Sequence, residues 1–280
     1  MTTREITLET MKSEHLDGAV ALSRQAGWPH RREDWELVWS ISEGIIALED
    51  DRVVATTLVT SYGEDAATIN MVIVDAAMRG RGLGRKLMEA ALARAGERAC
   101  LLVATQEGLP LYEKLGFVAT GDIAQYQGEA LPVGLPDSVS WAEARDHDSL
   151  PVLDREATGH DRSALMRLLR QRAKFAVIRD NGEMQGFAAV RAFGRGLVIG
   201  PVVARNDTEA KALIDFLLAQ HKGSFVRLDT DVSTNLAEWL AGRGLAHAGG
   251  GVAMRRAPVA QQESRIAHYR RYALVSQALG

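Results

Sequence analysis

The chain has 280 residues, of which 46% are hydrophobic and 25% charged. That length fits two domains of average size, and the balance excludes a disordered or collagen-like polymer. The formal net charge of −3, without any long Lys/Arg run, excludes an extended nucleic-acid-binding face. A single cysteine, Cys100, can neither close an intrachain disulfide nor build a thiolate zinc cluster. Its apolar setting, Cys100-Leu101-Leu102-Val103, predicts a buried structural thiol. No stretch approaches the run of about 20 apolar residues that crosses a bilayer. Acidic residues interrupt Met1–Glu9 before an apolar leader core can form, so the expectation is a cytoplasmic protein with no membrane partner.

Residues Ile6 to Thr10 alternate as a short strand, and Ser13 to Gly27 read as a capped helix. Gly27-Trp28-Pro29-His30 breaks that helix, and Asp34 to Trp39 predicts another. Strands follow at Ile45 to Leu48, Val53 to Thr60 and Thr68 to Val74, the first two separated by Glu49-Asp50-Asp51 as in a hairpin. Gly82 to Ala95 places Leu83, Leu87, Ala91 and Ala95 on one helical face. Leu101 to Ala104 is a fully apolar strand, Leu109 to Leu115 a short helix stopped by Gly116, and Phe117-Val118 restarts a strand.

Pro132, Gly134 and Pro136 mark a linker between Gly128 and Asp137. Beyond it the order begins again: Val139 to Ala144 strand-like, Ser149 to Glu156 and Arg162 to Gln171 helical. Strands are predicted at Phe175 to Ile178, Gln185 to Arg191, Leu197 to Ala204 and Phe225 to Asp229. Thr208 to Gln220 reads as an amphipathic helix and Leu236 to Leu240 as a short one. Val53 to Thr60 corresponds to Met184 to Arg191, Val74 to Val203, and Gly116-Phe117 to Gly244-Leu245, which is the pattern of an internal structural repeat. In the tail, Ile266, Tyr269, Ala273 and Leu274 have helical spacing, and a surface that packs on the protein or on a twin subunit is expected.

The densest chemical signal runs from Val72 to Leu87. An apolar strand ending at Val72-Ile73-Val74 enters the turn Arg79-Gly80-Arg81-Gly82-Leu83-Gly84-Arg85, which opens a helix. Glycines allow close backbone approach, and the first N–H groups of a helix have no intrahelical partner, so this turn can bind a diphosphate. Arg79, Arg81 and Arg85 add long-range attraction. The spacing is neither a Rossmann G-x-G-x-x-G nor a Walker loop. About thirty residues on comes Leu111-Tyr112-Glu113-Lys114-Leu115-Gly116-Phe117.

These two motifs together resemble the GNAT superfamily of N-acetyltransferases. Arg79, Gly82 and Gly84 match its [RQ]-x-x-G-x-[GA] loop, and Leu111, Tyr112, Gly116 and Phe117 match its L-Y-x-x-x-G-F helix. Thr105 stands where many members carry Asn. The resemblance implies an α/β fold of the α+β type: two GNAT-like domains, each a mixed, mostly antiparallel twisted sheet flanked by helices. It divides the chain into a catalytic domain over 1–130, a degenerate copy over 137–258, and a helical tail over 259–280. It implies acetyl-CoA as co-substrate, held by backbone N–H groups from Arg79 through Arg85, including Gly80, Arg81, Gly82, Leu83 and Gly84. Main-chain groups around Val72, Ile73 and Val74 are expected along the pantetheine, with Tyr112 as acid for the departing thiolate.

The acceptor is expected to be a primary amine of a small molecule or peptide. Deprotonating an alkyl amine at neutral pH costs about 4 kcal/mol. His30, Asp34 and Glu36, with Trp28 and Trp35, lie in the segment that walls the acceptor cleft in related proteins, and none is assigned as base. The second half has Val203-Ala204-Arg205-Asn206-Asp207-Thr208 in place of the glycine loop and Leu240 near the place of Tyr112, which predicts no coenzyme site there. Asp161 is expected to cap a helix. His147, His221 and His247 lack metal-ligand spacing, so no metal is expected. A homodimer is compatible with this reading. The alternatives are a non-catalytic acyl-CoA sensor and a scaffold whose second half is the working surface.

Overall fold

The structure, a computed structural model, describes residues 5–257 and 268–280. In the first half β1 (Ile6–Thr10) leads to α1 (Leu16–Gln25), α2 (Arg32–Trp39), β2 (Glu43–Glu49), β3 (Arg52–Tyr62) and β4 (Ala66–Val74). Then come α3 (Leu83–Ala95), β5 (Ala99–Ala104), α4 (Leu109–Lys114) and β6 (Val118–Glu129). The second half repeats that order: β7 (Val139–Trp141), α5 (Ser149–Thr158), α6 (Ser163–Arg172), β8 (Lys174–Asp180), β9 (Glu183–Phe193) and β10 (Gly196–Ala204). It continues with α7 (Asp207–Gln220), β11 (Phe225–Asp231), α8 (Ala237–Ala241) and β12 (Ala246–Arg256), and the tail adds β13 (Arg270–Ala273).

The strands form one sheet in the order β1-β2-β3-β4-β5-β12-β6-β11-β10-β9-β8-β7. Exchanging each strand for its counterpart in the other half reverses this order onto itself, so the sheet has a pseudo-two-fold axis at the antiparallel pair β6–β12. That pair is exchanged. β12 of the second half is hydrogen-bonded to β5 of the first, and β6 of the first half to β11 of the second. Each half is thus closed by the other half's last strand. The sequence gives no warning of β12, because His247-Ala248-Gly249-Gly250-Gly251 has the composition of a loop.

Apolar side chains explain the layers. In α3, Leu83, Leu87, Met88, Ala91 and Ala95 are buried against Ile45, Val54, Ile69 and Leu102 of the first half's strands. In α7, Leu213, Ile214, Leu217 and Leu218 pack on Val190, Ile199 and Leu228 of the second half. A third cluster crosses the axis: Leu16, Trp35 and Val38 of α1 and α2 join Leu150, Leu153, Leu165 and Leu169 of α5 and α6, together with Val275 and Leu279 of the tail. Burying such side chains is worth about 1.5–3 kcal/mol each, so this shared cluster adds to the exchanged strands in holding the halves together.

Ile266 and its neighbours in the expected tail helix lie outside the described residues. Where the tail is described, the helical expectation fails. Arg270–Ala273 is strand β13, antiparallel to β10 through Val202↔Ala273, Val203↔Arg271 and Ala204↔Arg270. The cause is an open strand edge. β10 pairs with β11 only at Leu197 and Val198, then diverges, and the tail satisfies the freed backbone groups. On the far side, Leu274 N–H donates to the Asp229 carbonyl at 2.9 Å and Thr230 Oγ1 donates to the Tyr272 carbonyl at 2.6 Å. The tail therefore fills the wedge between two diverging parallel strands.

Candidate active site

The first half has the same wedge, and no segment of the described chain fills it. β4 is paired with β5 only at Ala66, Ala67 and Thr68, so from Ile69 to Val74 its β5-facing edge has no strand partner. A bulge marks the divergence: Met71 and Val72 stand opposite Thr57 alone, and Met71 adopts φ +51°. A non-glycine residue in that region is strained and needs support. Thr56 supplies it by donating its hydroxyl to the Met71 carbonyl at 2.8 Å. The second-half wedge has a matching bulge, Gly200 and Pro201 opposite Ala189.

Beyond β4 the chain is braced by Asp75. Its carboxylate accepts from Ala77 N–H at 2.8 Å and from Arg52 Nη1 at 2.5 Å. Gln25 Oε1 accepts from Ala76 N–H at 3.0 Å. Burial pushes the Asp75 carboxyl up, but these donors outweigh it and hold the group below the usual carboxylate range. The glycine turn follows. Gly80 and Gly82 have φ +75° and +77°, and a Cβ at either would have no atom within 4 Å, so the turn is open to solvent. Gly82 precedes α3 without a side-chain cap. The first helical hydrogen bond runs from Lys86 N–H to the Gly82 carbonyl. The N–H groups of Leu83, Gly84 and Arg85 therefore precede the ladder, available to an anion.

The three arginines of the turn are exposed and each faces a carboxylate: Arg79 with Glu107 at 2.6 Å, Arg85 with Glu89 at 2.8 Å, and Arg81 with Glu49 at 3.8 Å. Their expected attraction is thus partly neutralised, which leaves the main-chain N–H groups as the turn's open hydrogen-bond donors. α3 and α4 meet at Gly84, where a Cβ would lie 3.4 Å from Leu111 Cδ2. This contact sets the turn beside the helix that carries Tyr112.

Tyr112 is buried, with Phe117 edge-on at 6.1 Å. Burial pushes its phenol up to about 12. Together with Ile69, Asn70, Met71, Val72, Leu102 and Thr105 it lines a cleft of about 510 Å³. Val72 lines this cleft, whereas Ile73 is buried in the inter-half core and Val74 is packed against the α3 cluster. Thr105 Oγ1 accepts from Gly108 N–H at 3.2 Å and so supports the start of α4. Cys100 is buried, and burial raises its thiol.

The opposite wall of the cleft comes from the α1–α2 turn (Trp28, Pro29, His30), from β6 (Gln125, Gln127) and from the second half with its tail: Phe193, Arg195, Arg227, Ser276, Gln277 and Ala278. His30 Nδ1 lies 3.2 Å from Ser23 Oγ, and the ring is edge-on to both Trp28 and Phe193. Burial lowers it to about 4 against the pull of Asp34, with Arg227 and Arg191 assisting, so the imidazole is neutral at pH 7. Asp34 does not line the cleft. It grips Arg31 and accepts from Gly194 N–H at 2.9 Å, which ties α2 to the β9–β10 turn. Burial works to raise its carboxyl, and Arg31 with that N–H holds it down instead. Glu36 is on the surface with Arg32 at 2.9 Å. Trp35 is fully buried and donates to Ser23 Oγ at 2.9 Å. Among the described residues, no group of three or more His, Cys, Asp or Glu could hold a metal ion, and no helix is long and apolar enough to cross a membrane.

At the corresponding places the second half is closed. Asn206 Oδ1 caps α7 by accepting from Glu209 N–H at 3.0 Å, and Glu209 accepts from Arg205 N–H at 3.0 Å. The helix start thus carries its own polar side chains and two carboxylates in its first turn. Leu240, fully buried, stands at the place of Tyr112 and has no hydroxyl. Asp161 is not the cap expected: Arg162 precedes α6 without a side-chain cap, and Asp161 one residue earlier accepts from Ser163 N–H at 3.0 Å as a local turn contact.

Comparison with known proteins agrees with this geometry. Two family models, each described as an acetyltransferase (GNAT) domain, match residues 40–119 and 151–267. An uncharacterised N-acetyltransferase of Bacillus subtilis, YitH, is 29% identical over 96% of this chain and 97% of its own. The holothin acyltransferase of a Pseudoalteromonas species is 25% identical over 78% of this chain and 83% of its own. Among solved structures, a putative acetyltransferase from Pyrococcus horikoshii superposes with a TM-score of 0.81 at 19% identity, covering 100% of this chain and 98% of that one. A tandem GNAT protein from the clavulanic acid biosynthesis pathway gives 0.63 at 16% identity, covering 90% and 98%. One such domain in each half, arranged about a shared strand pair, makes this chain a member of the GNAT superfamily: a tandem acyltransferase.

Proposed function

We propose that the protein transfers acetyl from acetyl-CoA directly to a primary amine, in a ternary complex, at the open wedge of the first half. The observation that carries this reading is the contrast between the wedges. In the second half an extended segment, β13, completes β10, whereas in the first the matching β4 edge is free and leads to an open turn with unsatisfied N–H groups. An extended pantetheine suits the first edge as β13 suits the second. The diphosphate suits the N–H groups of Leu83, Gly84 and Arg85, with Arg79, Gly80, Arg81 and Gly82 around it.

When bound, acetyl-CoA supplies an activated carbonyl and a thiolate leaving group. Tyr112 holds its proton at neutral pH and donates a hydrogen bond to sulfur as the C–S bond breaks and the C–N bond forms. The amine's surplus proton leaves to solvent. No carboxylate lines the cleft among the described residues, and neutral His30 is too weak a base to strip an ammonium. Arg195, which has no carboxylate partner among the described residues, disfavours that ammonium instead.

Calorimetry with acetyl-CoA tests the site. One equivalent should bind per chain. Gly82→Asp, which adds an anion and a side chain at φ +77°, should weaken binding by about 100-fold, or ~2.7 kcal/mol. Unchanged affinity in that variant overturns the reading.

A further inference from the structure

The acceptor side of the cleft carries charge of one sign. Arg195 and Arg227 are its permanently charged side chains, and no Asp or Glu lines it among the described residues. The two arginines are not equivalent. Arg227 is committed to Asp229, with its Nε and Nη2 donating to the two carboxylate oxygens at 2.9 and 3.0 Å. Arg195, exposed at the β9–β10 turn, stacks 4.6 Å above the Phe225 ring. Among the described residues no carboxylate oxygen lies within ion-pair distance of it. Behind them Arg191 is buried, with Nη1 and Nη2 donating only to the carbonyls of Ala192 and Val275, and its Nε has no partner. This side of the cleft therefore has surplus positive charge, and among the described residues that line it only Arg195 presents that charge to solvent.

Beside this charge runs an aromatic row. Trp28, His30 and Phe193 succeed one another edge to face, at 5.7 and 5.5 Å between ring centroids. Gln125, Gln127 and Gln277 supply neutral polar groups between them. A row of rings favours a flat or apolar body, and an unpaired guanidinium fork favours a carboxylate held by two hydrogen bonds. A polycation would meet like charge with no carboxylate to receive it.

Accepting the amine-acceptor reading above, we propose that the acceptor is a carboxylate-bearing amine, whose carboxylate binds Arg195 and whose body lies against Trp28, His30 and Phe193. Arg195 is then a specificity-determining residue supplied by the second half to the first half's reaction.

The test uses probes that need no turnover. Phenylacetate, phenylacetamide and phenethylammonium are titrated into the full chain by calorimetry, with and without saturating coenzyme A. Phenylacetate should bind at least 10-fold tighter than either of the others. Arg195→Gln should abolish that preference, and Arg195→Lys should restore part of it. Equal affinities, no detectable binding of the carboxylate, or a preference that survives in Arg195→Gln would overturn the proposal. Titrations without coenzyme read the Arg195 site alone. A failure of coenzyme binding thus counts against the transferase reading, and a failure of carboxylate preference against this one.

Discussion

A phenol held at about 12 is a weak acid for a departing thiolate. Full transfer to a sulfur whose thiol has a pKa near 8.5 is uphill by ~5 kcal/mol, against ~2 for an unburied tyrosine. In the proposed reaction burial therefore favours a Tyr112 that donates a hydrogen bond to the developing charge, with proton transfer late in C–S cleavage. Tyr112→Phe should lower kcat by about 100-fold and leave the Kd for acetyl-CoA within about twofold. The sign of the pH dependence follows. The phenol stays protonated below about pH 11, so the wild-type rate should rise as the acceptor amine loses its proton. It should show no fall assignable to Tyr112 before that pH. A descending limb near pH 9 that disappears in Tyr112→Phe would remove this assignment. Residues of this kind are legible in a sequence because their motifs are local: the glycine turn and the tyrosine helix each span fewer than a dozen positions. Met71 is not legible, because its positive φ arises from the register against Thr57. Asp34 misleads for the same reason. Its position suggests the acceptor wall, but its decisive contact is Gly194, 160 residues away.

Bulge, wedge and filler form one element-scale device, used in two ways. Where β4 diverges the edge is open; where β10 diverges β13 occupies it, and the order of strands and helices gives no hint of the difference. The spacing of Tyr269, Ala273 and Leu274 suits a helix, yet the open edge of β10 makes Arg270–Ala273 a strand. Gly200 reads how tightly the filler is seated, because a Cβ there would lie 1.8 Å from the Leu274 carbonyl oxygen. Gly200→Ala should therefore lift the tail and cost about 2–3 kcal/mol in denaturant unfolding, the range of a core overpacked by one methyl. The tail continues from that wedge into the wall of the working cleft at Ser276, Gln277 and Ala278. The same substitution should raise the acceptor KM while acetyl-CoA affinity, set by β4 and the glycine turn, stays within about twofold. Loss of both affinities together would mean that the tail's displacement reaches the coenzyme edge.

At the scale of the molecule, the sequence halves are not the units that fold. The repeat is legible because its elements recur in order. The exchange of β6 and β12 is not, because a palindromic strand order looks the same in a linear sequence whether each half keeps its last strand or lends it. Only the pairing distinguishes the two: β12 on β5 through Val252↔Ala104 to Arg256↔Cys100, and β6 on β11 through Phe225↔Glu129 to Asp231↔Ile123. Residues 1–136 alone would keep β5 with an exposed edge and β6 with neither of its strand partners. They would also expose Leu16, Trp35 and Val38, which pack in one cluster with Leu150, Leu165 and Leu169. Exposed edges and an uncovered apolar face favour aggregation over folding. This fragment should therefore fail to give a cooperative thermal transition or bind acetyl-CoA, although it contains the whole glycine turn and Tyr112. Co-expression with residues 137–280 should restore both, because the exchanged strands are then supplied in trans. A soluble 1–136 fragment that binds acetyl-CoA with the affinity of the full chain would show that the first half closes its own sheet, and the exchange would lose its structural necessity.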